Sequence, residues 1–510
     1  MKIILVTIDT MRQDRAGCYG YARGATPNLD SLAAGSVRFA NALTTCPFTV
    51  PAHASMLTGK YPGNIPIFFG QSDSRMDRDR DVMLQEVLAE NGYETAAFVS
   101  SMVMRKSVGL SRGFGVYDDD MTGSEANRDG QLLRDGASTN RAAIKWLSGN
   151  FDKDFFLWVH YFDAHGPYVN PEPFASMHKP EDYGPSPVIL DAVKEGLTGG
   201  IPFYQLLDLK KDGGRTVVSY ERDARRYLAQ YDAGVRVADH YLGQLVDELK
   251  RLGIYDESMI IATSDHGEAM GEGGIYFFHG LTVTPDQSFV PLVVKYPGGR
   301  DAGTVVGECA SVADITPTVL GEAGFAEFGG CGVNTDGVRL VPALMADRTV
   351  LCENEWQRAL VSDGLMAIVG KEVPRDGIAY YMDSKRLCGG TTLVDMKSGQ
   401  DAPSETPAAK GLMRVARDLK INADAKEVAI RAAKIRSTTL EYQKNRVEQA
   451  LTRHIEEIEA QRDQLGIELY RANGRAKFME DNFNEISNSR IWRVTAPLRR
   501  VIEMLKGLKK

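Results

Sequence analysis

The run Ile3-Ile4-Leu5-Val6-Thr7-Ile8, which alternates little and ends on Asp9, constrains this chain most. A strand without a polar face must be covered on both sides, as strands of helix-flanked parallel sheets are. Val37–Ala42, Gly92–Val99, Phe155–Phe162, Met259–Thr263 and Val290–Tyr296 read as further strands. Residues 26–35 read as a helix, with Pro27 near its start and Gly35 at its end. Leu84–Asn91 and Arg222–Leu252 read as helices too. In the latter, Tyr227, Tyr231, Val235, Val237, Leu242, Leu245 and Leu249 recur at roughly helical spacing. Alternating strands and helices predict an α/β fold with a mainly parallel sheet flanked by helices. Asp9 then lies at the carboxyl end of a strand, where open α/β sheets place their sites. Residues 349–397 read as short strands with turns.

The second constraint is the stretch Cys46–Pro62. Thr49 stands two residues before Pro51 and four before His53, and a small-residue run follows to Thr58-Gly59. Pro51 fixes its own φ and biases Val50 away from the helical region. Ala52–Leu57 reads as the start of a helix, which places Thr49 just before a helix N-terminus. Backbone N–H groups and the positive dipole end favour an anion there. A hydroxyl at that point suits attack on an anionic phosphorus or sulfur centre; it also suits an ordinary N-cap.

Thr49-x-Pro51-x-His53-x4-Thr58-Gly59 resembles the sulfatase signature, Cys/Ser-x-Pro-x-Arg-x4-Thr-Gly. Ile3–Arg12 resembles the family's first strand and metal-binding turn. Thr26-Pro27-Asn28-Leu29-Asp30-Ser31-Leu32-Ala33 resembles its first helix, and Thr263-Ser264-Asp265-His266-Gly267-Glu268 its late metal-binding turn. The resemblance, to the sulfatases of the alkaline phosphatase superfamily, covers roughly residues 1–400 and implies that 349–397 form the family's small antiparallel C-terminal subdomain. It implies an ester hydrolase or transferase with one divalent metal ion held by Asp9, Thr49, Asp265 and His266, and with Thr49 at the nucleophile position. Oxygen-rich ligation with one imidazole suits Ca²⁺, Mg²⁺ or Mn²⁺, and Zn²⁺ is also compatible. Metal contact would lower the hydroxyl's pKa. Thr10 stands where many members carry a second Asp, and Arg12 and Asp14 resemble a pair that orients the metal turn.

The departures are as informative as the matches. Sulfatases oxidise Cys or Ser to formylglycine, and the secondary alcohol of Thr49 should not give that aldehyde. The family's Arg is His53 here, and the Lys expected after the Gly92–Val99 strand falls at about Ser100. Two cations that would grip a sulfate are therefore missing. Thr at this position resembles the phosphate-ester branches of the superfamily, in which it is phosphorylated and then released to water or another alcohol. Histidines fill the gap in this reading. His53 is expected on the non-bridging oxygens, and His165 or His279 as general acid for the leaving group. His160, His178, His240 and His454 are read as structural or surface residues. Gly271–Gly274 is expected to be a flexible loop over the site.

Length and charge bound the rest. The 510 residues can hold two or three domains, and the chain divides into four regions: 1–325 catalytic, 326–405 a small subdomain, 406–488 helical or coiled coil, and 489–510 a basic amphipathic tail. No run reaches the ~20 apolar residues of a membrane span. Because the first strand leads straight into Asp9 it is not expected to be a signal peptide, and six scattered cysteines fit reduced thiols. Both point to the cytoplasm. Residues 410–510 carry 22 Lys/Arg against 14 Asp/Glu, and the rest 38 against 54. An acidic body argues against nucleic acid as its partner. Leu451, Ile455, Ile458, Leu465, Leu469, Ala472, Ala476, Met479, Phe483 and Ile486 follow 4-3-4-3 spacing, which predicts a coiled coil and self-association. Residues 489–510 fit an interfacial helix, hence contact with the inner face of the cell membrane. They also resemble the Trp-Arg-x-Thr-x-Pro-Leu-Arg endings of bacterial surface-glycan glycosyltransferases, which implies a role in surface-polysaccharide metabolism. The leading expectation is a metal-dependent hydrolase or transferase acting on a small-molecule or glycan phosphate ester. The alternatives are a sulfuric ester hydrolase and a degenerate coiled-coil scaffold for glycan-assembly enzymes.

Overall fold

A computed structural model describes residues 1–65, 81–121, 123, 133–193, 198–212, 216–325, 335–340, 348–354, 357–362, 365–370, 391–395 and 504. Met1–Ile421 form one compact unit and Asn422–Lys510 a second. The coiled-coil stretch, and all of the tail but Met504, lie outside the described residues. Among the described residues, no helix is long and apolar enough to cross a membrane.

Eight strands form the central sheet: β1 (Lys2–Ile8), β2 (Val37–Leu43), β3 (Glu94–Phe98), β4 (Val116–Asp118), β5 (Phe155–Tyr161), β6 (Ser258–Ser264), β7 (Leu292–Lys295) and β8 (Val305–Ser311). Their order is β8-β2-β7-β6-β1-β5-β3-β4. The sheet is mixed rather than uniformly parallel, because β7 runs antiparallel to both β6 and β2. The apolarity of β1 has the expected cause. Ile3 and Leu5 enter one core, and Ile4, Val6 and Ile8 the other. The first core is closed by α2 (Thr49–Thr58), α3 (Leu84–Glu90) and α7 (Ile315–Glu322). The second is closed by α1 (Pro27–Ala34), α4 (Gly136–Ser148) and the 28-residue α5 (Ala224–Arg251). The short α6 (Pro285–Ser288) precedes β7.

The register of the three middle strands builds the site. Ile8 pairs with Tyr161 on β5 and with Ser264 on β6, all three strands running parallel. Asp9 and Asp265, each one residue further on, therefore emerge side by side at one edge. Thr7 pairs with His160, so these two side chains lie on one face, two residues along from Leu5 and Trp158.

Val350–Glu353, Gln357–Ser362, Leu365–Gly370 and Thr391–Asp395 form a four-stranded antiparallel sheet, within the stretch read as short strands. Val350, Cys352, Ala359, Val361, Met366 and Ile368 pack there with Leu43 and Val283.

Candidate active site

Thr49 is the first residue of α2, not the residue before it; Phe48 takes the cap position. Pro51 lies in the first turn, where a missing N–H costs no intrahelical bond. The Thr49 hydroxyl Oγ1 lies 3.3 Å from His266 Nε2. His266 Nδ1 is 2.9 Å from the Gly267 carbonyl, which can only accept, so Nδ1 carries the hydrogen. In the neutral ring, Nε2 then presents a lone pair toward Thr49, Asp265 Oδ2 (3.4 Å) and Asp9 Oδ1 (4.0 Å).

The two carboxylates are buried and incompletely satisfied. Asp265 Oδ1 accepts from the N–H groups of Thr10 (3.1 Å) and His266 (2.8 Å). Asp265 Oδ2 and both Asp9 oxygens have no hydrogen-bond partner. Burial and then the Asp265 charge hold the Asp9 carboxyl well above the usual range. Burial also pushes Asp265 up, but the facing His266, His53 and His160 outweigh it and bring it down to about 2. Buried carboxylate oxygens without donors call for a cation. Asp9, Asp265 and His266 offer ligand atoms within 4.8 Å of one another, and this donor set fits one divalent metal. Thr10 is also poised there. Its φ is 56°, a left-handed conformation unusual for a β-branched residue, and its buried Oγ1 has no partner.

His53, His160 and Asp265 form a second cluster with similar spacing, but both nitrogens of His53 are committed. His53 Nδ1 lies 2.7 Å from the Thr49 carbonyl and Nε2 3.0 Å from Thr7 Oγ1. The ring has no nitrogen to offer an ester, which corrects the expectation that His53 grips non-bridging oxygens. His160 Nδ1 accepts from Ser100 N at 3.4 Å, so in the neutral ring Nε2–H faces Asp9 Oδ2, 3.4 Å away. Burial lowers His53 to about 3 and His160 to about 4, so both rings are neutral near pH 7. His160 belongs to the site, contrary to its reading as a structural residue. The only sequence signal was its place near the end of a buried strand.

Glu268 is a site residue that its motif alone does not reveal. It is fully buried, accepts from the Tyr168 hydroxyl at 3.3 Å, and its Oε1 and Oε2 lie 3.3 and 3.4 Å from His279 Nδ1. Burial pushes its carboxyl up to about 7. The His279 ring stands 4.3 Å from the His266 ring and 5.3 Å from that of His165. His165 stacks on Phe162, and its Nδ1 donates to the Gly166 carbonyl at 2.6 Å. Burial lowers His165 to about 3.

Arg12 joins the two metal turns. It clamps Asp14 through Nε (2.8 Å) and Nη2 (2.6 Å), and its Nη1 donates to the Glu268 carbonyl (3.1 Å) and Glu272 (2.8 Å). Tyr231 OH accepts from Arg12 N and donates to Thr10 O. Gly271–Gly274 is not a free loop. It is the tip of a hairpin, Ala269–Met270 against Tyr276–Phe278, held to Arg12 by Glu272.

Comparison with known proteins gives the same answer. Residues 2–325 match the family model "Sulfatase". A relative from Trinickia caryophylli, the multifunctional alkaline phosphatase superfamily protein PehA, is 26% identical over 76% of this chain and 84% of its own length. Human N-sulphoglucosamine sulphohydrolase is 28% identical over 65% of this chain and 64% of its own. In fold, a phosphonate monoester hydrolase of Agrobacterium radiobacter superposes with a TM-score of 0.58 at 19% identity, over 85% of this chain and 95% of that one. The chain belongs to the sulfatase family and is one of its ester hydrolases.

Proposed function

We propose that this enzyme cleaves a phosphate ester through a phosphorylated Thr49. One observation carries the reading: Thr49 Oγ1, a secondary alcohol that cannot be oxidised to formylglycine's aldehyde, stands 3.3 Å from His266 Nε2, beside two buried carboxylates with three unpartnered oxygens between them. The bound metal, held by Asp9, Asp265, His266 and Thr49, would offset the charge of the ester and make the hydroxyl more acidic.

The chain's own residues account for the rest. Thr49, its hydroxyl proton lost to solvent, attacks phosphorus as the alkoxide; the bond to the leaving oxygen breaks, and the leaving oxygen takes a proton. His279 is the donor that fits, since Glu268 faces its Nδ1 and a proton shared by that pair can be replenished. Neutral His165, its Nδ1 hydrogen committed to Gly166, accepts rather than donates. In the second step water attacks the phosphorus of phospho-Thr49 and gives one proton to the pair, while the P–Oγ1 bond breaks and Oγ1 leaves as the alkoxide that began the cycle. An alcohol in place of that water makes the same site a transferase.

A second reading, sulfate ester cleavage by unmodified Thr49, is favoured by the family model and by the sulphohydrolase relative. Intact mass spectrometry of the Thr49 peptide, after brief incubation with metal and a panel of phospho- and sulfo-esters, separates the two. A phosphoryl group on Thr49 supports the first reading; no adduct, with turnover of sulfate esters alone, supports the second.

A further inference from the structure

We infer that His53 is a positioning residue: it ties the first turn of α2 to the sheet through a directed hydrogen-bond chain starting at Trp158, and so sets where the Thr49 hydroxyl points. The inference rests on the reading of Thr49 as the attacking group.

Proton inventory fixes the direction of the chain. An indole N–H only donates and a carbonyl only accepts. Trp158 Nε1 donates to Thr7 Oγ1 at 3.0 Å. The Thr7 hydroxyl hydrogen goes on to His53 Nε2, 3.0 Å away. His53 Nδ1 must then carry the hydrogen it donates to the Thr49 carbonyl at 2.7 Å. One arrangement of protons satisfies all three bonds.

The chain crosses three elements, from β5 through β1 to α2, and every member is buried. Sheet register supplies its first half, since Trp158 and Thr7 lie on one face of neighbouring parallel strands. The His53 ring is held between Trp158 and His160, with ring centres 5.2 and 5.1 Å away. It cannot turn toward an ester without giving up both bonds. A first helical turn lacks intrahelical partners for its N–H groups and frays readily. Anchoring its carbonyl keeps the Thr49 Cα–Cβ direction constant, and so keeps Oγ1 beside His266. His53 acts on the reaction through Thr49 alone, so its loss should appear in kcat and leave KM unchanged.

The test uses the full chain with bis(4-nitrophenyl) phosphate and 4-nitrophenyl sulfate as probes. Thr7→Val keeps the shape and removes the two bonds at Thr7 but leaves His53 on the Thr49 carbonyl; His53→Phe keeps a ring and removes that last bond together with the one to Thr7. Displacement of a nucleophile by about 1 Å costs about 100-fold, so His53→Phe should lower kcat about 100-fold and Thr7→Val about tenfold, with KM and metal affinity within about twofold. Thr7→Ser should restore kcat, and the Thr7→Val/His53→Phe double variant should be no worse than His53→Phe. Nitrogen-15 spectra of labelled imidazoles, recorded without substrate, should show His53 protonated on Nδ1, and Thr7→Val should move that resonance. A rise in KM at unchanged kcat, additive losses in the double variant, or His53 protonated on Nε2 would each overturn the inference. Full activity in Thr49→Ala would remove the reading beneath it, an outcome the substrate-free spectra tell apart from failure of the chain itself.

Discussion

Thr49 Oγ1 and His266 Nε2 stand 3.3 Å apart although 217 residues separate them in the chain. The first helical turn after β2 and the turn after β6 meet there, each bringing a group of little use alone. A secondary alcohol is a weak nucleophile until something polarises it. Replacing Thr49 with Val keeps its shape and removes the hydroxyl. The expected result is loss of turnover by about 10³-fold or more with the fold intact, checked by steady-state kinetics beside circular dichroism. Thr49→Ser should retain activity.

Asp9 is destabilising as it stands, buried with neither oxygen bonded. Asp9→Asn should therefore raise the melting temperature of the metal-free protein. The same change should abolish the rise produced by metal, which for wild type amounts to about 2.7 kcal/mol at a free concentration of 100 Kd. Thermal scans with and without chelator read both effects. A wild-type melting point indifferent to every divalent ion tried would remove the metal site.

Glu268 faces His279 Nδ1 across 3.3 Å and is itself held by Tyr168. Glu268→Gln keeps the volume but cannot pass a proton. It should lower kcat by about 10²-fold for esters with poor leaving groups, and by much less for 4-nitrophenyl esters, whose leaving oxygen needs little protonation. Equal losses on both would assign Glu268 to packing.

Asp163 gives a prediction away from the site. Its Oδ2 is buried without a partner, and burial raises the carboxyl from 3.8 to about 7. Between those values the unfolded chain is ionised there while the folded one holds its proton. The folded state is therefore favoured at low pH, and that advantage is lost as pH rises toward 7. Asp163→Asn should melt higher than wild type above pH 7, and the difference should shrink steadily toward pH 4. A difference independent of pH would assign the effect to packing.

Much of this was legible in the sequence because the signals are local. An apolar strand with no polar face specifies a covered sheet, and Asp9 and Asp265, each ending such a strand, could be placed at its carboxyl edge. What escaped depends on contacts across the fold. His160 reads as core because it lies within a buried strand, and only the pairing with Thr7 brings it to Asp9. The reversed direction of β7 leaves no mark in a short apolar run. His53 looked like a substitute for the family's arginine, yet its ring is turned back toward its own helix and β1 by bonds to residues four and 46 positions away. Glu268 stood inside a quoted motif, but its partner His279 arrives only through the return of the hairpin.

The matched register of β1, β5 and β6 has a consequence for how such an enzyme changes over time. Slipping one strand by a single residue would turn every side chain to the opposite face, so the spacing of Asp9 and Asp265 is guarded by the two cores behind them. Beyond His165 and Tyr168, the described residues of the connection that runs on to Asp223 pair with none of these three strands. Residues can be added or lost there without moving the attacking groups, so new substrates can be recruited at the rim while the chemistry beneath is inherited intact.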